Sequence, residues 1–152
     1  MGAKKTLIIC KSIHHGNTLK VAKVIAKELD ADIVDPSKFD IKNIGKYDVI
    51  GFGSGIYNGK HHRSLFEFLE KIPLQKGKKA FLFSTATLCY AKMQEPFKKE
   101  LLKKGFSLIG EFMCKGFIDY GFLKYFFGGL NKRRPNQLDL DNARNFSRSL
   151  LK

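Results

Sequence analysis

The sequence KTLIICKSIHHGNTLK, residues 5–20, changes its periodicity within a few residues. Residues 5–11 form a short apolar run with β-branched side chains, which is typical of a buried strand. From Thr18 to Leu29, apolar residues recur at helical spacing on one face, and this pattern predicts an amphipathic helix capped by Asn17 or Thr18. A strand that leads directly into a helix indicates the start of a strand–helix–strand unit.

The same alternation continues to the end of the chain. Four more apolar runs predict strands at 31–34, 47–53, 79–84 and 107–117. Further helices are predicted at 65–72, at 93–105 and near the C-terminus, where Asn136, Asp139 or Asp141 is the expected cap. Five strands separated by helices imply an α/β fold, in which one parallel sheet is covered by helices on both faces. We expect a single domain over residues 1–152.

Composition limits the class of protein. The 152 residues are 43% hydrophobic and include 14 Phe, which is enough for a substantial core and argues against disorder. Cys10, Cys89 and Cys114 are odd in number and widely spaced, so they do not predict a disulfide framework. No apolar stretch has the length of a membrane span, and the first apolar run is too short for a signal peptide. We therefore expect a cytoplasmic protein.

Polar residues cluster where the first predicted strand ends. Residues 12–18 join that strand to a helix N-terminus, where backbone N–H groups can hold an anion, and they include a glycine with hydroxyl and amide side chains. The triphosphate-binding motif G-x-x-x-x-G-K-[ST] and the dinucleotide motif G-x-G-x-x-G are both missing from this loop. A phosphate monoester held mainly by neutral donors remains, and the alternative is an ordinary turn with a Thr cap.

Three segments together resemble the flavodoxin family: S-x-x-H-G-N-T at 12–18, YDVIGFGSGIYNGKHH at 47–62 and FSTAT at 83–87. The resemblance implies a three-layer sandwich with strand order 2-1-3-4-5 and one noncovalently bound flavin mononucleotide (FMN). It also implies three groups of FMN-binding residues. They are Ser12, His14, His15, Gly16, Asn17 and Thr18 in the phosphate loop, Ser54, Gly55, Ile56, Tyr57 and Asn58 in the middle loop, and Thr85, Ala86, Thr87 and Leu88 in the third loop.

The flavin ring needs a partner on each face. Tyr57 is the expected stacking residue on one face. The chain has no Trp, so Tyr90 or His61 is expected on the other face. His61 and His62 have no further ligand at metal-binding spacing, so we expect no metal site, and no pair of residues indicates an acid–base or nucleophilic catalyst.

The net charge of +14 departs from the acidic character typical of small flavodoxins. It favours electron transfer with redox partners that have acidic surfaces. Residues 118–137 interleave aromatic and basic side chains, a pattern that suits peripheral contact with an anionic membrane, a nucleic acid or an acidic redox partner. The alternative is that the aromatic side chains pack against the last strand and helix while the basic ones stay in water.

Two other functions remain open. The first is an FMN-dependent oxidoreductase that acts on a quinone or a porphyrinogen at the membrane surface, because residues 59–62 and 120–129 are loosely similar to those of flavodoxin-like protoporphyrinogen oxidases. The second is a flavin-free basic module that binds nucleic acid. The compatible residues in all three cofactor loops favour flavin binding over this second function.

Overall fold

The computed structural model describes residues 2–13, 15–117, 129 and 131–152. His14 of the expected phosphate loop lies outside the described residues. So do residues 118–128 and 130, which form most of the expected membrane-contact segment.

Within the described residues, six strands and four helices follow the order that the sequence predicts, with one short strand added. The strands are β1 (Thr6–Lys11), β2 (Asp32–Val34), β3 (Val49–Tyr57), β4 (Lys60–His61), β5 (Lys79–Ala86) and β6 (Ser107–Lys115). The helices are α1 (Asn17–Leu29), α2 (Arg63–Lys71), α3 (Glu95–Lys103) and α4 (Gln137–Leu150). Two 3₁₀ turns lie at Ile41–Lys46 and Ala91–Met93.

The long strands form a parallel sheet in the order β2-β1-β3-β5-β6. If these five are counted in chain order, the arrangement is 2-1-3-4-5, so the predicted α/β topology is confirmed. The remaining short strand, β4, pairs antiparallel with the end of β3. Asn58 and Gly59 connect the two strands with φ of 51° and 76°, the two positive values that a tight hairpin turn requires.

Each face of the sheet carries its own apolar cluster. Helices α2 and α3 cover one face, where Phe52 and Leu82 belong to the buried cluster. Helices α1 and α4 cover the other face, where Phe81 and Phe83 are fully buried. A Cβ atom at Gly53 would lie 2.1 Å from the Phe83 ring, so the glycines of β3 provide the space that the β5 rings occupy. This packing fixes how the ends of β3 and β5 lie beside each other.

The two ends of the chain use different helix caps. Helix α1 begins after Gly16, which adopts φ 64° and provides no side-chain cap, so the prediction of an Asn17 or Thr18 cap is wrong. Both side chains lie inside the first turn of α1 and make tertiary contacts instead. Helix α4 begins after Asn136, which caps it and forms a reciprocal capping box with Asp139, so the prediction of a cap there is confirmed.

Candidate functional site

A cleft lies at the carboxyl ends of β1, β3 and β5, where a parallel α/β sheet usually binds its ligand. All three sequence segments that suggested a cofactor contribute to it, together with the end of β6. Its lining residues are Ser12, Ile13, Asn17, Thr18, Gly55, Ile56, Tyr57, Thr85, Ala86 and Gly116. The β1–α1 loop, the β3–β4 hairpin and the end of β5 thus meet around one space.

A pair of hydroxyl groups joins the first and third segments. Thr18 Oγ1 and Thr85 Oγ1 lie 2.8 Å apart, and the two residues are 2% and 5% exposed. One hydroxyl donates to the other, so the accepting hydroxyl retains a proton that it can donate elsewhere. Since both residues line the cleft, this proton is available to an anionic oxygen there.

The start of α1 presents further donors to the same space. Ser12 Oγ accepts a hydrogen bond from the Leu19 backbone N–H at 3.2 Å, which leaves the Ser12 hydroxyl proton free to donate. The first turn of any helix also carries backbone N–H groups that have no partner within the helix. Gly16, with its positive φ, turns the chain into α1 without placing a side chain over these groups.

Asn17 connects the cleft to the segment after β6. Its Nδ2 donates to the Phe117 carbonyl oxygen at 2.8 Å. Its Oδ1 is buried and has no hydrogen-bond partner within the described part of the chain. A Cβ atom on Gly116 would lie 2.8 Å from Asn17 Nδ2, so only glycine leaves this side chain in place. An unpartnered buried acceptor beside a cleft fits a ligand that carries hydroxyl groups.

The hairpin segment is held by Ser54 and His62. Ser54 Oγ donates to the Gly55 carbonyl at 2.7 Å and accepts from the His62 backbone N–H at 2.9 Å. The His62 ring caps α2 by accepting from the Ser64 N–H, and its edge meets the Tyr57 ring at a centroid distance of 5.2 Å. Burial, followed by the positive charge of Lys11, lowers the pKa of His62. A neutral His62 therefore supports the aromatic residue of the cleft.

The third segment is hydrogen-bonded to the segment that precedes α4. Asn131 Nδ2 donates to the Thr87 carbonyl at 2.9 Å and to the Gly116 carbonyl at 3.3 Å. Thr87 is half-buried, and Leu88 is 53% exposed at the surface. This arrangement fixes the backbone that follows β5 and leaves an apolar side chain uncovered beside the cleft.

The structure corrects one expected position. His61 is 1% exposed, and its ring packs against Phe97 at a centroid distance of 5.3 Å under α3. The proposal that His61 stacks on a flavin ring is therefore wrong, because β4 directs this side chain into the core. Burial lowers its pKa to about 4. Tyr90, the other expected residue, is 50% exposed in the segment after β5.

The three thiols provide no activated nucleophile. Cys10 and Cys114 are buried in strands, as the sequence predicts, and burial raises the pKa of each to about 12. Cys89 is exposed, and partial burial of its sulfur raises its pKa. Within the described residues there is no group of three or more His, Cys, Asp or Glu side chains that could hold a metal ion.

The residues expected from the sequence occupy distinct places around the site. The expected residues that line the cleft are Ser12, Asn17, Thr18, Gly55, Ile56, Tyr57, Thr85 and Ala86. Those that do not line it are His15, whose ring packs on Phe117, Gly16, the buried Ser54, Asn58 in the hairpin turn, Thr87 and Leu88. Sequence reasoning missed Ile13, Gly116 and Asn131. A glycine at the end of a predicted strand was the one available signal, since the contact of Asn131 spans 44 residues.

The described part of the chain contains no helix long and apolar enough to cross a membrane.

Comparison with known proteins agrees with this geometry. A family model described as a flavodoxin domain matches residues 7–127. An uncharacterized protein of Methanocaldococcus jannaschii is 52% identical over 150 residues, which cover 97% of this chain and 99% of that protein.

Two solved flavodoxins show the same fold in different redox states. Oxidised flavodoxin 2 from Bacillus cereus has 22% identity and a TM-score of 0.71, with 97% of each chain covered. Two-electron reduced flavodoxin from Megasphaera elsdenii has 18% identity and a TM-score of 0.62, with 93% of this chain and 98% of that chain covered. The chain belongs to the flavodoxin-domain family.

Proposed function

We propose that this protein binds one FMN noncovalently in the cleft at the carboxyl ends of β1, β3 and β5 and transfers electrons between proteins. The observation that carries the proposal is the convergence of three separate segments on one cleft, whose lining includes both hydroxyl side chains and the aromatic ring of Tyr57. Family membership supports the cofactor, because flavodoxins carry electrons on FMN.

The phosphate of FMN would lie at the start of α1. Ser12, Thr18 and Thr85 supply hydroxyl donors there, and the helix supplies backbone N–H groups with a favourable dipole. No lysine is needed, because the accepting hydroxyl of the Thr pair and the Ser12 hydroxyl each retain a proton to donate. The Asn17 Oδ1 atom would accept from a ribityl hydroxyl, which gives this buried oxygen the partner it lacks among the described residues.

The isoalloxazine ring would lie against the β3–β4 hairpin. Tyr57 presents an aromatic ring held in place by His62, and Gly55 leaves space beside it, since a Cβ atom there would lie 3.0 Å from the Tyr57 hydroxyl. Leu88 and Tyr90 are half-exposed and are the proposed partners for the second face of the ring. Aromatic and apolar contacts of this kind bind the ring and tune its electronics.

FMN supplies the redox chemistry when it is bound, and the protein orients the ring and limits its contact with water. The three free thiols fit a reducing compartment, so we place this function in the cytoplasm.

A comparison of FMN with riboflavin tests this proposal. Riboflavin keeps the ring and the ribityl chain but lacks the phosphate, so the α1 donors have no anion to bind. We expect saturable quenching of flavin fluorescence with one FMN per chain, and at least 100-fold weaker binding of riboflavin, since charge-assisted hydrogen bonds are the strong ones. Equal affinity for the two flavins would remove the assignment of the phosphate loop, and binding of neither would overturn the proposal.

A further inference from the structure

A second concave surface lies between α2 and α3, on the face of the sheet opposite α1 and α4. This basic groove encloses about 720 Å³ and is lined by five lysines, three glutamates and the apolar residues Phe66, Leu69 and Pro96. Each of the two helices has nine residues, so the groove is about 13 Å long, at 1.5 Å of rise per residue. These dimensions suit a short helical segment rather than a small ion.

The charges of the basic groove are unevenly matched. Glu95 pairs with Lys98 at 3.4 Å, and Glu100 pairs with Lys103 at 3.2 Å, so two of the three glutamates already have a cation beside them. In contrast, Lys60, Lys92 and Lys99 are exposed and take part in no ion pair with any described residue. The groove therefore presents three lysines without an ion-pair partner among the described residues, beside the half-buried Phe66 and Pro96, and Lys60 Nζ lies 5.7 Å from the centroid of the Phe66 ring.

The groove begins beside the proposed flavin site. Lys60 pairs with Tyr57 across the β3–β4 hairpin, and Tyr57 lines the cleft. Lys92 lies in the 3₁₀ turn that follows β5, close in sequence to the exposed Leu88 and Tyr90. A protein segment seated in the groove would thus lie close to the β3–β4 hairpin, against which the flavin ring is proposed to bind.

We propose that the basic groove is the docking surface for an acidic, amphipathic helix of a redox partner protein. The apolar face of such a helix would cover the half-buried Phe66 and Pro96, while its carboxylates would meet Lys60, Lys92 and Lys99. This inference rests on the proposed electron transfer for its purpose. The charges are the reverse of those expected for a typical acidic flavodoxin, because the carrier here supplies the positive surface and the partner supplies the negative one.

Other occupants fit the basic groove less well. A second copy of the chain carries the same charge of +14 and would be repelled. A nucleic acid has a continuous line of phosphates, which the glutamates of the groove would repel. The carboxylates of a helix can instead be spaced so that they avoid these glutamates. The apolar side chains of the groove also make no hydrogen bond or ion pair with a phosphate backbone.

A peptide titration tests the docking surface. The probe is a labelled synthetic helix with Leu and Phe on one face and Glu on the other, and the control peptide carries Gln in place of Glu. Binding is measured by fluorescence anisotropy with flavin-free and FMN-loaded protein. We expect the Glu peptide to bind at least tenfold more tightly than the Gln peptide at low salt, and the difference to shrink as salt rises.

Two matched triple variants locate the binding. Lys60→Glu/Lys92→Glu/Lys99→Glu reverses the charge of the groove. Lys23→Glu/Lys27→Glu/Lys42→Glu makes the same change in net charge at exposed positions on α1 and in a 3₁₀ turn outside the groove. We expect at least a tenfold loss of peptide affinity in the first variant and less than a twofold loss in the second. Equal losses in both variants would overturn the proposal, because they would show attraction to overall charge only.

A flavin titration separates this inference from the proposed function. FMN titration of Lys99→Glu alone should match that of the unmodified protein, since Lys99 lies on α3 and does not line the cleft. If FMN fails to bind while the peptide result holds, the proposed function falls and the docking surface stands. If a single-stranded oligonucleotide or anionic phosphatidylserine vesicles bind the groove more tightly than the Glu peptide does, the protein partner is wrong.

Discussion

Replacing the hydroxyl pair of Thr18 and Thr85 separates its structural role from its binding role. The two Oγ1 atoms lie 2.8 Å apart between nearly fully buried residues. Thr18→Val or Thr85→Val keeps the branched shape and leaves the other hydroxyl unpartnered, so each should lower the free energy of unfolding by about 1–3 kcal/mol. The double variant leaves no unpartnered hydroxyl, so it should lower the free energy of unfolding by less than the sum of the two single variants, with a coupling energy of about 1 kcal/mol.

FMN affinity should follow a different pattern in these variants. A hydrogen bond to a charged group contributes about 1.5–3 kcal/mol, which corresponds to about a 10- to 150-fold loss of affinity. The double variant recovers part of the lost stability but has no hydroxyl left to donate to FMN. Its loss of FMN affinity should therefore be at least as large as that of either single variant. Urea unfolding of flavin-free protein measures the first quantity, and fluorescence titration with FMN measures the second.

The control for this experiment is Thr6→Val, which changes a buried threonine at the opposite end of β1. It should leave FMN affinity within twofold of the unmodified protein. Strictly additive stability costs in the double variant would show that the two hydroxyls are not bonded to each other. Unchanged FMN affinity in the double variant would show that neither of them faces the phosphate.

Three further changes have expected outcomes. Gly16→Val places a β-branched residue at φ 64° and should abolish FMN binding, whereas Gly16→Asn, a residue that tolerates this conformation, should retain it; full occupancy in the valine variant contradicts the assignment. Burial lowers the pKa of His61 from 6.5 to about 4 in the folded protein, so between these pH values only the unfolded chain binds a proton there. The free energy of unfolding should therefore fall by about 3 kcal/mol as the pH drops through this window. Urea unfolding of His61→Phe should lack this fall, and equal pH dependence in both proteins would show that His61 is not its source. Arg134→Gln removes the guanidinium that donates to buried Asp139 at 2.6 Å, and it should lower the melting temperature through a loss of about 1.5–3 kcal/mol; an unchanged melting temperature would show that the pair contributes nothing.

The main strands could be predicted because buried parallel strands give short apolar runs between helices of clear amphipathic pattern. The run at 5–11 overlaps β1 except for Lys5, and the run at 79–84 lies within β5. The short strand β4 could not be found this way, because two residues give no periodicity. Its turn residues, Asn58 and Gly59, were the available signal.

The helix cap and His61 show where sequence reasoning ends. Asn17 and Thr18 are the residue types that cap helices, but tertiary partners at Phe117 and Thr85 determine their positions instead. His61 carries a polar side chain that suggests a loop, and its pairing with Ile56 in the hairpin turns it into the core. Contacts between segments far apart in the chain decide both cases, and a single sequence does not record such contacts.

The visible absorption spectrum of the purified protein, titrated with FMN and then taken through reduction and reoxidation, tests the central claim most directly. We predict one FMN per chain, a shifted flavin spectrum that shows a ring removed from water, and full reversal of the spectral change on reoxidation. A folded protein that leaves the spectrum of added FMN unchanged would contradict the account.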